Sequence, residues 1–202
     1  MLNALKGFLL GVADEINERW KPFKKFERGP CIIDAKPLPE KAQIYWDDIQ
    51  NNWLYGPYKE FYWSMKPNDM GDMAIWQGLY TFTCAVKDDI PALLSAVKGQ
   101  SLIQNLGGDN RIARGVDAID GPHNTDPSRT YFEDRGYVYL QDVSESTLIG
   151  HMFGLWSVLY FGQERVLKGI SGQLLEDLAK QVIADGYILK DHAGKPARFG
   201  DL

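Results

Sequence analysis

The chain has 202 residues, of which 45% are hydrophobic, so it is long enough to bury one substantial core and is predicted to fold. Its 22 basic and 27 acidic residues leave a formal net charge of −5 and are mixed along the sequence, which excludes a broad basic face for nucleic acid. Cys31 and Cys84 are too few for a disulfide scaffold or a zinc site, so we expect free thiols, no metal and no cofactor. No apolar run has the flanks of a signal peptide or the length of a membrane span, which predicts a soluble chain made in the cytoplasm.

The first part of the chain, residues 1–70, is predicted to be an N-terminal helix followed by an aromatic-rich irregular segment. Apolar residues recur at helical spacing over 3–20, and this helix is either a packing element or an arm that docks on a partner. Six prolines punctuate 22–70, with one short helix predicted near 42–53. The aromatic residues between Tyr45 and Trp76 either contact sugars or pack this layer onto the core.

Residues 71–202 are predicted to form two helical hairpins joined by a long loop. The first hairpin has a helix over 72–87 and a second from Pro91 to about 106, interrupted at Gly99. The second hairpin has helices over 144–161 and 171–184, the latter capped by Gly186. A β-like run at 136–140 closes the loop, and 187–199 reads as a β-hairpin that turns at Gly194. The predicted fold class is therefore mainly α, with small β-hairpins.

The first candidate site residue, Asp72, stands at the start of a predicted helix, one turn before Trp76. Its carboxylate can cap that helix by accepting backbone N–H bonds, or lie at the rim of a cleft beside the indole ring. The two roles are compatible, because a capping carboxylate stays ionised.

The junction at 142–151 is the richest stretch for chemistry. Either Ser144 caps the following helix, or Asp142 with Glu145 forms a capping box. His151 stands on a helical face with Thr147, four residues earlier, and is either a proton carrier or a hydrogen-bonded packing residue. Gly150 within the helix predicts the close approach of another backbone or a ligand.

Two arginines of the long loop are also candidates. The guanidinium groups of Arg111 and Arg114 can bind a sugar carboxylate in bidentate fashion, or pair with the nearby aspartates on a solvated surface. Neither a phosphate-binding glycine loop nor a nucleophilic serine elbow is present, and His and Cys residues are not clustered, which argues against most acyl-transfer and cofactor chemistry.

Three stretches together resemble a bacterial and bacteriophage group of αα-toroid proteins related to six-hairpin glycosidases and polysaccharide lyases. They are GDMAIWQGLY at 71–80, DVSESTLIGHMFG at 142–154 and DGYILKDHAGKPARFG at 185–200. In that group, helical hairpins point their connecting loops at a central cleft that handles glycans. The resemblance implies catalytic roles for Asp72, Asp142 and His151, and substrate contacts from a further set, namely Trp76, Arg114, Ser144 and Glu145.

This chain departs from the group's pattern in two ways. Ser146 and Thr147 replace the acidic pair expected after the serine, which leaves Glu145 one position early and on another face. Two and a half hairpins also cannot close a six-hairpin ring, so apolar helix faces stay open unless other chains cover them.

Two hypotheses follow. The first is a glycan-directed domain of glycoside hydrolase or lyase type that uses paired carboxylates. The second is a non-catalytic structural or carbohydrate-binding component of a bacteriophage virion, oligomeric and in contact with copies of itself or with virion proteins. The second hypothesis places the protein in the virion after its synthesis in the cytoplasm.

Overall fold

A computed structural model describes residues 40–64, 68–123 and 129–201 of the chain. The chain divides into two units, Met1–Pro39 and Glu40–Leu202. The aromatic-rich residues from 40 onward therefore belong to the same unit as the helical hairpins. The helix predicted over 3–20 and Cys31 lie outside the described residues.

The aromatic-rich segment begins with a helix, as predicted, and ends in a short β-hairpin. Helix α1 covers Glu40–Asp48 and continues into one π-helical turn, Ile49–Trp53. Strands β1 (Leu54–Tyr55) and β2 (Phe61–Tyr62) then pair in antiparallel fashion. The ring of Trp46 stacks on that of Tyr80, with 6.1 Å between centroids, so the aromatic side chains of this segment pack against the hairpins.

Four longer helices form the two predicted hairpins. They are α2 (Met73–Lys87), α3 (Ile90–Asn105), α4 (Glu145–Phe161) and α5 (Arg165–Ala184). Helix α2 ends at Asp88, whose φ of 55° is left-handed, and α3 begins where the Asp89 carboxylate accepts the N–H of Ala92 at 3.2 Å. None of the helices in the described part of the chain is long and apolar enough to cross a membrane.

Two features of the helices differ from the prediction, namely an interruption in α3 and the start of α5. Gly99 does not interrupt α3, because its missing side chain makes room for the backbone carbonyl of Glu60 while the helix continues. Helix α5 begins at Arg165 rather than near Ser171, because Leu167 is already buried in the core. Its end matches the prediction, with Gly186 in the left-handed conformation at φ 74°.

The long loop between the hairpins contains an antiparallel three-stranded sheet. Its strands are β3 (Gly115–Ala118), β4 (Tyr131–Asp134) and β5 (Tyr137–Leu140), in the order β3-β5-β4. Strand β5 is the predicted β-like run, whereas β3 and β4 were not predicted. The β-hairpin predicted over 187–199 is confirmed as β6 (Ile188–Lys190) and β7 (Pro196–Asp201), with Gly194 at φ 76° in its turn. Within the described residues, five α-helices and small antiparallel sheets thus confirm a mainly helical fold.

Helices α2 and α4 come into direct contact through three glycines. A Cβ atom added to Gly78 would overlap the carbonyl oxygen of Gly150, and one added to Gly154 would lie 2.6 Å from the Cα atom of Gly78. A Cβ atom on Gly150 would lie 2.6 Å from the Cα of Ile75. The two backbones therefore touch directly, which confirms the close backbone approach predicted at Gly150.

Helices α2 and α4 run in parallel. Ile75 lies against Gly150, and Phe82, two turns further along α2, packs on both Phe153 and Phe161 of α4. Contacts thus advance along both helices in the same direction. Because α2 and α4 are parallel and pack side by side, they begin at the same end of the molecule. Helices α3 and α5 run back in the opposite direction, each within its own hairpin.

Replacing Gly78 with alanine should destabilise the fold. The added methyl group meets a backbone oxygen that cannot rotate away, so we expect a loss of about 2 to 3 kcal/mol in the free energy of unfolding, measured by guanidinium denaturation. Gly169→Ala is the matched control, because a Cβ atom there meets nothing within 4 Å. That variant should gain about 0.5 to 1 kcal/mol from helix propensity. Equal stability of the two variants would contradict the glycine contact.

Candidate functional site

The predicted site residue Asp72 stands at the N-cap position of α2, but its side chain makes no capping hydrogen bond. Its carboxylate instead pairs with the guanidinium group of Arg114, which just precedes β3. The backbone of Arg114 is held on both sides, by N–H donation to Leu140 O at 2.8 Å and by acceptance from Ala74 N at 3.1 Å. Strand β5 and α2 therefore position the arginine.

Arg114 joins the beginnings of α2 and α4. Its Nη2 contacts the Asp72 carboxylate, its Nε donates to the carbonyl of Gly71, and its Nη1 donates to the carbonyl of Asp142 at 2.8 Å. We call these four residues the Arg114 clasp. Because all three partners are acceptors on the turns that start the two parallel helices, the clasp fixes the relative position of these helix ends.

The residues after the clasp form the cap of α4. Ser144 Oγ accepts the N–H of Thr147, and Thr147 Oγ1 accepts the N–H of Ser144, both at 3.4 Å. This is a capping box made by serine and threonine, so the alternative box of Asp142 with Glu145 is wrong. Glu145 is exposed in the first turn of α4, where its charge favours the positive end of the helix dipole.

Asp142 adopts a left-handed backbone conformation, with φ at 75°. A residue that carries a side chain is rarely found there, and such strain occurs often at binding and catalytic sites. The conformation turns the Asp142 carbonyl toward Arg114 and lets the chain enter α4 at Ser144.

His151 is fully buried. Its Nε2 lies 3.1 Å from Gln104 Oε1, and the Gln104 amide nitrogen donates to Leu174 O at 2.8 Å. Since the glutamine oxygen can only accept, His151 carries its proton on Nε2. Burial lowers the pKa of His151 to about 3, which keeps the ring neutral. Of the two roles predicted for His151, the structure favours the hydrogen-bonded packing residue.

The structure brings some of the predicted site residues together and separates others. Asp72, Arg114 and Asp142 meet in the clasp, and Ser144 follows two residues later. His151 is two turns further along α4, inside the core. Trp76 lies one turn into α2 and is half-buried.

The other loop arginine, Arg111, is held by two carboxylates. Its guanidinium group bonds Asp185 at 2.8 and 2.9 Å and Asp109 at 2.6 Å, and this pairing lowers the pKa of Asp185 to about 2. Of the two roles predicted for Arg111, pairing with nearby aspartates is the one seen in the structure. The pair borders a shallow pocket that is otherwise largely apolar.

One polar pair was not predicted from the sequence. Asp117 is buried on β3, and its Oδ2 lies 3.1 Å from His123 Nδ1 and accepts the His123 N–H at 3.1 Å. Burial raises the pKa of Asp117. The carboxylate also accepts the N–H of Ala118 and lies against Gly121, so its main role is to shape the turn after β3. Strand β3 was not predicted from the sequence. The spacing of Asp117, Gly121 and His123 is the one sequence signal that could have indicated the turn after it.

One side of the α2–α4 pair is apolar and exposed. Tyr160 is 68% exposed, Ile149 56% and Trp156 41%, and Leu79 and Val86 of α2 are also exposed. We call these five residues the aromatic face. The rings of Trp156 and Tyr160 stack with 5.2 Å between centroids and an interplanar angle of 20°.

Metal ligands are not clustered in the described ranges, since no three His, Cys, Asp or Glu side chains come close enough to hold an ion. Cys84 is a buried free thiol, as expected, and burial raises its pKa to about 12.

No protein-family model, curated protein or solved structure matches the chain. The likeness to αα-toroid proteins therefore stays a prediction.

Removing the guanidinium group of the clasp should destabilise the protein. Arg114→Met keeps much of the aliphatic stem but leaves the Gly71 and Asp142 carbonyls and the Asp72 carboxylate without their donor, so we expect a loss of about 1.5 to 3 kcal/mol in chemical denaturation. Lys180→Met, which removes an exposed ion pair on α5, should leave stability nearly unchanged. If the two variants behave alike, Arg114 does not hold the helix ends together.

The buried His151 should make stability depend on pH. Its pKa is about 3 in the folded chain and about 6.5 when unfolded, so the unfolded state binds the extra proton between these values. Stability contributed by the neutral ring is full above pH 6.5 and falls by about 1.4 kcal/mol per pH unit below it.

The comparison that isolates this effect is His151→Gln, which keeps an N–H donor for Gln104. Unfolding free energies measured from pH 7 to pH 4 should fall more steeply for the wild type than for the variant. Parallel curves would show that His151 does not stay neutral in the folded protein.

Proposed function

We propose that the chain is a non-catalytic structural module that works by binding other protein chains. One observation carries the proposal: α4 is apolar around its whole circumference, yet Ile149, Trp156 and Tyr160 remain exposed on one side. A helix of this kind is normally buried on all sides. An exposed apolar patch made by several neighbouring side chains is often an interaction site in a folded protein.

The state of the predicted acid and base groups supports the same proposal. His151 has no exposed surface and stays neutral, while Asp72 is paired with Arg114. Ser144 is used in the helix cap, and Glu145 points into solvent from the first turn of α4. Cleavage of a glycosidic bond needs one carboxyl group as acid and another as base or nucleophile, with room between them for the sugar.

We also propose that the two hairpins are part of an αα-toroid. The parallel course of α2 and α4, with α3 and α5 reversed, is the arrangement that successive hairpins of such a ring require. In that arrangement α2 and α4 are inner helices, and their uncovered side is the aromatic face. The resemblance implies a bacteriophage virion as the larger assembly, and a many-copy particle is the setting that we propose.

A glycan-acting site is the second candidate function. The observation that favours it is the clasp, where Asp72, Arg114 and the strained Asp142 converge at the common starting end of two helices. A guanidinium group that pairs with the Asp72 carboxylate and bonds the Asp142 backbone carbonyl is suited to recognising sugar hydroxyl and carboxylate groups.

A glycan assay separates the two candidate functions. The wild type and Asp142→Asn are incubated with a panel of neutral and uronic acid-containing polysaccharides, and NMR follows new anomeric or unsaturated sugar signals. We expect no turnover by either protein. Because asparagine tolerates the left-handed conformation of Asp142, the variant should also keep its fold. Cleavage by the wild type that is lost in a folded Asp142→Asn would overturn the proposed function.

A further inference from the structure

The side chains at the aromatic face carry almost no charge. Within α2 the only charged residue is Lys87 in the last turn, and within α4 the only one is Glu145 in the first turn. His151, the histidine of α4, is buried and neutral. The exposed face between these ends is therefore uncharged over about three helical turns.

Ring packing makes this face a preformed surface. Trp156 stacks on Phe153 at 6.0 Å and on Tyr160 at 5.2 Å, and Phe153 packs on Phe82 of α2 at 5.1 Å. Each ring restricts its neighbours, so little side-chain freedom remains to be lost when a partner covers them. Aromatic residues at the centre of a rigid surface are typical of protein interfaces.

We infer that the aromatic face binds the same face of a second copy of this chain, forming a two-fold symmetric dimer. The inference rests on the proposed function, because it names the partner of the structural module. In an isologous contact the same patch serves both subunits, so the patch must complement itself. An uncharged apolar face meets this condition, and it lets two chains of net charge −5 associate without placing like charges opposite one another.

The composition of the face disfavours other occupants. A glycan site needs several polar groups that converge on the sugar hydroxyls, whereas the five side chains of the face contribute one hydroxyl, that of Tyr160. An anionic membrane surface is recognised by clusters of Lys and Arg, and only Lys87 stands beside this face on α2 or α4.

The exposed area predicts a modest affinity. The exposed parts of the five side chains amount to about 500 Å² per copy, compared with about 800 Å² per partner in a standard interface. Such an interface belongs to the small class, so we expect a dimer with Kd on the order of 1 to 100 µM.

Sedimentation velocity of the full chain tests the inference. From about 1 to about 500 µM the wild type should shift from monomer to dimer. Tyr160→Glu and Ile149→Glu place a charge at the two ends of the face on α4, and each should weaken dimerisation at least tenfold. Both positions are more than half exposed, so circular dichroism should show an intact fold.

The matched control is Leu94→Glu, which places the same charge on α3, at a position 56% exposed and outside the face. It should dimerise as the wild type does. A chain that stays monomeric throughout, or dimerisation weakened equally by all three variants, would overturn the inference. Binding to phosphatidylserine vesicles by a monomeric wild type would do so as well. None of these outcomes touches the proposed lack of catalysis, which the glycan assay tests separately.

Discussion

The direct backbone contact between α2 and α4 is the constraint on which the rest of this structure depends. Gly78, Gly150 and Gly154 remove the side chains that would keep the two helices apart. A close approach strengthens dispersion contacts between the backbones and outweighs the cost of glycine in a helix. The two helices in contact run parallel, so both of their beginnings lie at the same end, within reach of one arginine between them.

Buried amides complete the packing that the glycines begin. The Gln77 amide nitrogen donates to the carbonyls of Glu60 and Ala96, while its oxygen accepts the N–H of Tyr62, so one side chain ties the aromatic-rich segment and α3 to α2. Gln100 donates to the carbonyl of His151 across the next interface. Buried polar groups are costly unless bonded, so such side chains specify one arrangement of the hairpins. The buried ring of His151 bonds another buried glutamine, Gln104.

The two ends of the parallel pair have different characters. The starting end carries the Arg114 clasp, where charge and backbone acceptors meet. Further along the two helices, exposed apolar side chains form the aromatic face, which includes the stacked rings of Trp156 and Tyr160. The polar end thus stabilises the pair, and the apolar side is the surface that we propose for assembly. Both properties come from the same parallel packing.

Signals contained within a few residues were enough to predict the helices. Apolar spacing located all four hairpin helices, and Ser144, Gly186 and Gly194 marked a cap, a helix end and a turn, because each acts on its own backbone. The convergence of Asp72 with Arg114 was implied only by the family resemblance. Strands β3 and β4, the pair of Asp117 with His123, and the burial of His151 required the tertiary structure, since each depends on segments far apart in sequence. Helix α4 shows the reason most clearly: it is apolar on every side, so the spacing that located the helix does not indicate which side is left uncovered, and only the packing of its neighbours decides that.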